Sequence, residues 1–283
     1  MKVKAYAKIN LGLKVLGKRE DGYHELEMIM VNIDLRDILS FRVSNEVNVI
    51  MDKAICKMEE NIVYKTAVYM KNKYNVQQGI KIKIKKRIPD GGGMGGGSSN
   101  AASTIIALNK LWNLGLSIEE MMEIAANMGS DVPFFIVNRL SFVKGRGEKI
   151  EVINKKICDN VIIFLPDMKC STKEIFNNYK CEEKGKQILD IYNNIENKYY
   201  KYLFNDLEEL VCDMYPDYPL KTIKQDLEKV FDCKVMMSGS GSSFFVLGKG
   251  CDKEMYKYIK NKYKDIKVVK SKVISCCENN IKQ

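Results

Sequence analysis

Apolar residues at the start of the chain fall on odd positions without a break: Val3, Ala5, Ala7, Ile9, Leu11, Leu13 and Val15. The even set, Lys2, Lys4, Tyr6, Lys8, Asn10, Gly12 and Lys14, is mostly polar. A period of two belongs to a strand buried on one side. It predicts a half-exposed strand with Lys8 and Asn10 together on the outer face. Asp21-Gly22-Tyr23-His24 reads as a turn between this strand and another strand-like stretch. The alternation returns at Ile80, Ile82, Ile84 and Ile88 against Lys81, Lys83, Lys85 and Arg87, and Pro89 ends it. Ala101, Ile105, Leu108 and Trp112 then form one helical stripe. Ser117 and Glu120 form a capping box that opens a further helix, with Ile118, Met121, Met122, Ala125 and Met128 as its apolar face. Gly129 to Pro133 interrupts that pattern. Pro133 suits the first turn of a short helix through Phe134, Phe135 and Ile136, and Asp131 is placed to cap it.

The second half mixes both periods. Val161 to Leu165 reads as a short strand stopped by Pro166. Ser171 and Glu174 make another capping box, which sets Phe176 on an early helical turn. Helical stripes follow at Leu207, Leu210, Val211 and Met214, and at Ile223, Leu227 and Val230, with Pro219 placed to start the latter. A strand near Val235 leads into Ser238-Gly239-Ser240-Gly241-Ser242 and returns through Phe244 to Leu247. A helix near Asp252 to Tyr263 and a strand near Ile266 to Ile274 complete the pattern. The Lys-, Asn- and Tyr-rich stretch from Asn177 to Tyr202 offers few core residues and reads as solvated surface. The class is α+β. At 283 residues two domains are expected, over 1–153 and 154–283, with the boundary between Glu148 and Asn160.

Composition narrows the chemistry. Lys plus Arg is 46 against 36 acids, a formal charge of +10, yet only six of the cations are Arg. Readers of nucleic acid lean on Arg for bidentate contacts. A lysine surplus spread along the chain, with no cluster interleaved with aromatics, reads as a solvated surface. A nucleic-acid partner is therefore not expected. The nine cysteines have no CxxC spacing and there is one His, so neither a zinc site nor a disulfide framework is legible. No apolar run approaches the ~18 residues of a membrane span. A cytoplasmic protein with free thiols and no membrane partner is the expectation.

The sequence GGGMGGGSS from Gly91 to Ser99 lies between strand and helix. Six glycines in seven positions cost backbone entropy. Such a loop suits backbone amides that must approach an anion at a helix start, typically phosphate. A Walker A loop requires Lys after the last Gly, and Ser98 stands there instead. A dinucleotide fingerprint is met formally by Gly91, Gly93 and Gly96. It also needs an acid on the next strand, whereas Glu119 and Glu120 open a helix. A nucleotide kinase loop with Ser98 and Ser99 at the helix start remains. Their hydroxyls are available to phosphate or Mg²⁺, which prefers oxygen ligands.

With AKINLGLKVLGKREDGYHE from Ala7 to Glu25, PDGGGMGGGSSNAA from Pro89 to Ala102, GSDVPFF from Gly129 to Phe135 and SGSGSSFF from Ser238 to Phe245, the chain resembles the GHMP kinase superfamily over nearly its whole length. The resemblance implies a mixed α/β N-terminal domain and a ferredoxin-like C-terminal domain. It implies transfer of the γ-phosphoryl of ATP, with Mg²⁺, to a hydroxyl of a small molecule. The AKIN start joined to DGYH is most similar to the branch that phosphorylates the 2-hydroxyl of a cytidine diphosphate methylerythritol in non-mevalonate isoprenoid precursor synthesis. A homoserine- or mevalonate-type acceptor is the alternative.

By resemblance, Lys8 and Asp131 are the catalytic pair. Pro89, Asp90, Gly91, Gly92, Gly93, Met94, Gly95, Gly96, Gly97, Ser98 and Ser99 hold the ATP phosphates, and Asn61 and Ile62 contact adenine. Tyr23 and His24 hold the cytosine, Phe176 covers its other face, and Asn10 lies near the reacting end. No metal ligands are identified. Asp90 and Ser130 depart from the superfamily pattern, which more often has an apolar residue and Ala there. Asp90 is expected to point outward. A monomer or weak homodimer is expected.

Overall fold

Two long antiparallel strands, β1 (Lys2–Lys18) and β2 (His24–Ser44), are joined by a tight turn. In that turn Arg19 N donates to Tyr23 O at 2.8 Å and Asp21 Oδ1 accepts from Tyr23 N at 3.1 Å. This computed structural model describes residues 1–53, 56–181, 187–248 and 251–275, and the backbone of 281–282. After β2 come β3 (Asn48–Met51), α1 (Ile62–Lys73), β4 (Gly79–Lys85), α2 (Gly96–Leu111), α3 (Ile118–Met128), α4 (Val132–Val137), β5 (Ser141–Gly145) and β6 (Lys149–Val152). β4 pairs with β2 from Ile38 to Ser44, and β5 pairs with it from Leu26 to Met30. β3 lies parallel to β4, and β6 antiparallel to β5. The capping box of α3 is complete, with Ser117 and Glu120 bonding reciprocally.

β1 departs from the half-exposed strand that its alternation predicts. Lys8 is only 4% exposed and Asn10 is fully buried. The register steps from Asn10↔Met30 to Gly12↔Ile29 and leaves Leu11 unpaired, a bulge that shifts face parity by one. Lys8, Asn10 and Leu13 therefore share a face with their cross-strand partners Asn32, Met30 and Met28. Ala7, Ile9, Leu11, Ile29, Val31 and Ile33 face a second core, whereas Val3, Ala5, Leu13 and Val15 belong to the first. An unbroken apolar period in the sequence is thus divided between two cores, and helices cover the face that looked free.

The second half comprises β7 (Asn160–Leu165), α5 (Thr172–Asn178), α6 (Ile188–Asn193), β8 (Phe204–Asn205), α7 (Glu208–Met214), α8 (Leu220–Val230), β9 (Cys233–Met237), β10 (Phe244–Gly248), α9 (Lys253–Lys262), β11 (Lys267–Ile274) and β12 (Ile281–Lys282). Four of its strands form an antiparallel sheet in the order β11-β7-β10-β9. With α8 and α9 as connections this is a βαββαβ, ferredoxin-like arrangement. Phe164 and Phe244 stack across it with ring centroids 4.6 Å apart. β11 continues into β2 through Val273↔Ile33 and Ile274↔Asn32, and β8 lies parallel to β1 at Gly12 and Leu13. The two halves are joined by these pairings.

The Asn177–Tyr202 stretch is a second correction. Ile188, Ile191, Ile195, Tyr199 and Tyr200 are buried in the second core. A Cβ on Gly12 would come within 2.8 Å of both Ile188 and Ile191. The polar composition hides this because the anchors are few and widely spaced. Residues 182–186 of the stretch lie outside the described ones.

Candidate active site

The Lys8 ammonium donates to Asn10 Oδ1 at 2.7 Å and lies 3.7 Å from Asp131 Oδ2. Asn10 Nδ2 in turn lies 3.3 Å from Met28 Sδ. Burial pushes the Lys8 pKa below 10.5, and the Asp131 carboxylate partly opposes that shift. Asp131 stands at the N-cap position of α4, as its sequence context suggests, but its side chain caps no backbone amide. Pro133 in the first turn already removes one donor. The carboxylate is left to face the lysine.

Lys8 is held beside the glycine loop by backbone as well. Its amide donates to Met94 O at 3.1 Å on an open stretch of the β1 edge. Met94 is buried in the second core, so it anchors the loop from inside. Gly95 takes φ +67 at the N-cap of α2, where a Cβ would lie 2.7 Å from the Phe135 ring and 3.3 Å from Lys8 Cγ. Ser99 N is bonded to Gly95 O at 2.8 Å. The amides ahead of it, at Gly96, Gly97 and Ser98, form the open N-terminal end of a 16-residue helix. The turn 238–242 packs directly on the loop: Ser238 Oγ donates to Gly93 O at 3.1 Å, and a Cβ on Gly93 would overlap the Ser238 carbonyl oxygen. Asn205 holds that turn through Nδ2, which donates to Met237 O at 3.1 Å and Gly239 O at 2.7 Å. A Cβ on Gly239 would lie 3.2 Å from Lys8 Nζ. Two glycine turns far apart in sequence thus enclose one lysine.

A cleft of about 720 Å³ runs from this point to an aromatic end. It is lined by Lys8, Asn10, Asp131, Gly93, Gly95 and Ser98 at one end and by Tyr23, His24 and Phe176 at the other. The His24 and Phe176 rings lie 5.2 Å apart, tilted by 34°. Tyr23 is 50% exposed, with the Arg146 guanidinium 5.0 Å from its ring centroid. Burial and then the Lys18 charge hold the His24 pKa below 6.5, so its ring is neutral at pH 7 and offers one donor and one acceptor.

Other expected residues stand outside the lining. Pro89, Asp90, Gly91, Gly92, Met94, Gly96, Gly97, Ser99, Asn61 and Ile62 do not line the cleft. Asp90 points outward, where Lys169 Nζ meets it at 3.1 Å. Asn61 caps α1 through Oδ1, which accepts from Val63 N at 2.9 Å, and its Nδ2 lies 3.2 Å from Met51 Sδ. Ile62 adjoins the outer side of the loop, 3.7 Å from where a Gly97 Cβ would stand. Sequence reasoning missed Arg146, Thr172 and Lys173, all in the lining. Thr172 Oγ1 and Ser240 Oγ are 2.6 Å apart and join the first turn of α5 to the second glycine turn. The Gly145-Arg146-Gly147 turn was the one available sign for Arg146.

Residues 61–139 match the GHMP kinases N terminal domain family. A 4-diphosphocytidyl-2-C-methyl-D-erythritol kinase of Clostridioides difficile strain 630 is 39% identical, covering 96% of this chain and 95% of its own length. The chain belongs to the family of 4-diphosphocytidyl-2-C-methyl-D-erythritol kinases. The Thermoanaerobacter pseudethanolicus member is 40% identical, covering 96% of this chain and 93% of itself. A crystal structure of 4-(cytidine 5'-diphospho)-2C-methyl-D-erythritol kinase superposes with a TM-score of 0.82 at 28% identity, covering 96% of this chain and 99% of that one. A mevalonate kinase structure matches with a TM-score of 0.74 at 18% identity, covering 98% of this chain and all of that one, and shows the shared fold. The GHMP kinase fold and phosphotransfer to an alcohol are properties of this family, and ATP is its phosphoryl donor.

Proposed function

We propose that the chain transfers the γ-phosphoryl of ATP to the tertiary 2-hydroxyl of 4-diphosphocytidyl-2-C-methyl-D-erythritol. The products are the 2-phosphate and ADP, in non-mevalonate isoprenoid precursor biosynthesis. The observation that carries this reading is the convergence of Lys8, Asp131 and the open end of α2 at one end of a cleft whose other end is aromatic.

An alcohol resembles water, with a pKa of about 15.7, against ~3.9 for an aspartate. The gap of ~12 units is roughly 16 kcal/mol, so Asp131 does not strip the hydroxyl before transfer. It orients the hydroxyl and accepts the proton late, as the attacking oxygen becomes acidic in a loose transition state. Lys8 is held 2.7 Å from Asn10 Oδ1. In its charged form it offsets negative charge on the transferring group in a low-dielectric setting. Loop and helix amides from Gly91 to Ser98 receive the α- and β-phosphates, and the outer face near Asn61 and Ile62 receives adenine. Tyr23 and Phe176 stack on cytosine, and neutral His24 supplies its donor and acceptor.

Among the described residues no group of three His, Cys, Asp or Glu gathers as a metal site. Ser98, in the cleft lining at the start of α2, would offer Mg²⁺ a hydroxyl oxygen beside the phosphates. When bound, Mg²⁺ screens phosphate charge. Our reading divides the chain into 1–153 and 154–283, supported by the gap between β6 and β7. It places a monomer or weak homodimer in the cytoplasm. Among the described residues no helix is long and apolar enough to cross a membrane.

Incubation with ATP, Mg²⁺ and the cytidylyl-methylerythritol acceptor should yield a product heavier by one phosphoryl group, read by mass spectrometry. Phosphorylation of homoserine or mevalonate in preference would overturn the acceptor assignment.

A further inference from the structure

We propose that Asp37 is a positioning residue for the nucleotide end of the cleft. With Lys86 and Asn100 it pins both ends of the glycine loop and so sets the geometry in which the loop meets phosphate. The proposal rests on the ATP-dependent reading above. Asp37 lies in β2, is 0% exposed and is absent from the cleft lining. Its Oδ1 accepts from two consecutive amides, Arg87 N at 2.6 Å and Ile88 N at 2.9 Å. Its Oδ2 accepts from Asn100 Nδ2 at 2.9 Å and from the Lys86 ammonium. Residues 86–88 are where the chain leaves β4, and Asn100 lies in the second turn of α2. Everything between them is the glycine loop, so one carboxylate fixes its entrance and its exit.

A loop with six glycines has almost no side chains with which to hold itself. Inside it, the glycine stretch is held chiefly by Met94 in the second core, Met94 O on Lys8 N, and Gly93 O on Ser238 Oγ. The ends are where restraint is added. The restraint also reaches the helix start. Ile88, bonded to Asp37, lies so close to Gly96 that a Cβ there would come within 2.9 Å of Ile88 Cγ2 and 3.3 Å of Lys86 Nζ. A shift of Ile88 therefore moves the first residue of the helix whose open amides take the phosphates. A buried lysine beneath a helix N-terminus is repelled by the positive end of the dipole. The Asp37 carboxylate balances that charge and holds it in place.

The variants Asp37→Asn and Asn100→Ala test this. Asp37→Asn keeps an acceptor for the amides and removes the charge. Asn100→Ala removes one tether and leaves the buried Asp37–Lys86 charge pair in place, at a helix position that favours Ala. Calorimetric titration with Mg²⁺ and a non-hydrolysable ATP analogue should show at least a tenfold weaker Kd for Asp37→Asn and at least threefold for Asn100→Ala. The KM for ATP should rise in parallel, while the KM for the cytidylyl acceptor stays within twofold. A fall in melting temperature with unchanged nucleotide Kd in both variants makes the cluster a structural one and overturns the proposal. Equal rises in both KM values also overturn it. If Asp37→Asn does not fold, the same criteria applied to Asn100→Ala decide. Wild-type protein that binds the nucleotide but leaves the acceptor unmodified defeats the acceptor assignment, while the titration still tests Asp37. Wild-type protein that binds no ATP removes both.

Discussion

Replacing Asp131 with Asn removes the negative partner of a lysine that is otherwise enclosed. Two unit charges 3.7 Å apart interact by about 4–5 kcal/mol at an effective dielectric constant of 20. The Asp131 side chain is one-third exposed, however. Water screens the pair, and the loss of stability at neutral pH should be about 1–3 kcal/mol, between the surface and buried limits. Turnover should fall by about 10²- to 10⁴-fold, the usual loss for a positioned proton acceptor, with ATP affinity nearly unchanged because the phosphate loop is intact. Burial already holds the Lys8 pKa below 10.5, and Asp131 raises it, so the variant should lower it further. The sign of the stability change with pH follows. Below the folded pKa the buried ammonium carries its full penalty. Between that pKa and 10.5 the unfolded chain binds the extra proton, so the deficit shrinks as pH rises. Two assays read this: initial rates against ATP and acceptor, and NMR of ¹³C-labelled lysine with the Lys8 signal assigned from Lys8→Met. Turnover within tenfold of wild type, or a Lys8 pKa that does not fall, refutes the pairing. In the wild type the alkaline limb of kcat/KM should lie below 10.5 if Lys8 acts as a cation.

Tyr23→Ala and Phe176→Ala should each raise the acceptor KM by about 5- to 150-fold, the equivalent of a lost stack of ~1–3 kcal/mol, with the ATP KM unaffected; an unchanged acceptor KM removes the residue from the cytosine end. Gly93→Ala places a Cβ against the Ser238 carbonyl at φ +68. The left-handed backbone alone costs about 1–2 kcal/mol, so melting temperature and turnover should both drop, and wild-type values for both would mean that the two turns are not in contact. Asn61→Ala should cost about 1 kcal/mol through its lost cap on α1; a large rise in ATP KM at constant melting temperature would instead make its side chain a nucleotide contact.

The regular elements were legible because local physics fixes them. The Ser117–Glu120 box, the Pro133 helix start and the alternation from Ile80 to Lys85 all act within a few residues. The glycine loop was legible for the same reason, and its six glycines between a strand and a helix are what motivates the anion site proposed there. Where the periodicity misled, a long-range cause intervened. The Leu11 bulge is a feature of how β1 pairs with β2, and the alternation runs straight through it. The isoleucines from Ile188 to Ile195 looked sparse because the surface they fill belongs to β1.

By itself, then, the sequence determined the α+β class and the place of the glycine loop between a strand and a helix. Tertiary structure alone decided that Lys8 is buried rather than solvated, that the Asp131 carboxylate faces it instead of capping α4, and that the turn 238–242 packs on the loop. The physical reason is range. Helix, turn and strand propensities are settled over a handful of neighbours. A charge pair between residues 8 and 131, and the burial that tunes it, exist only once strand register and helix packing have brought distant segments together.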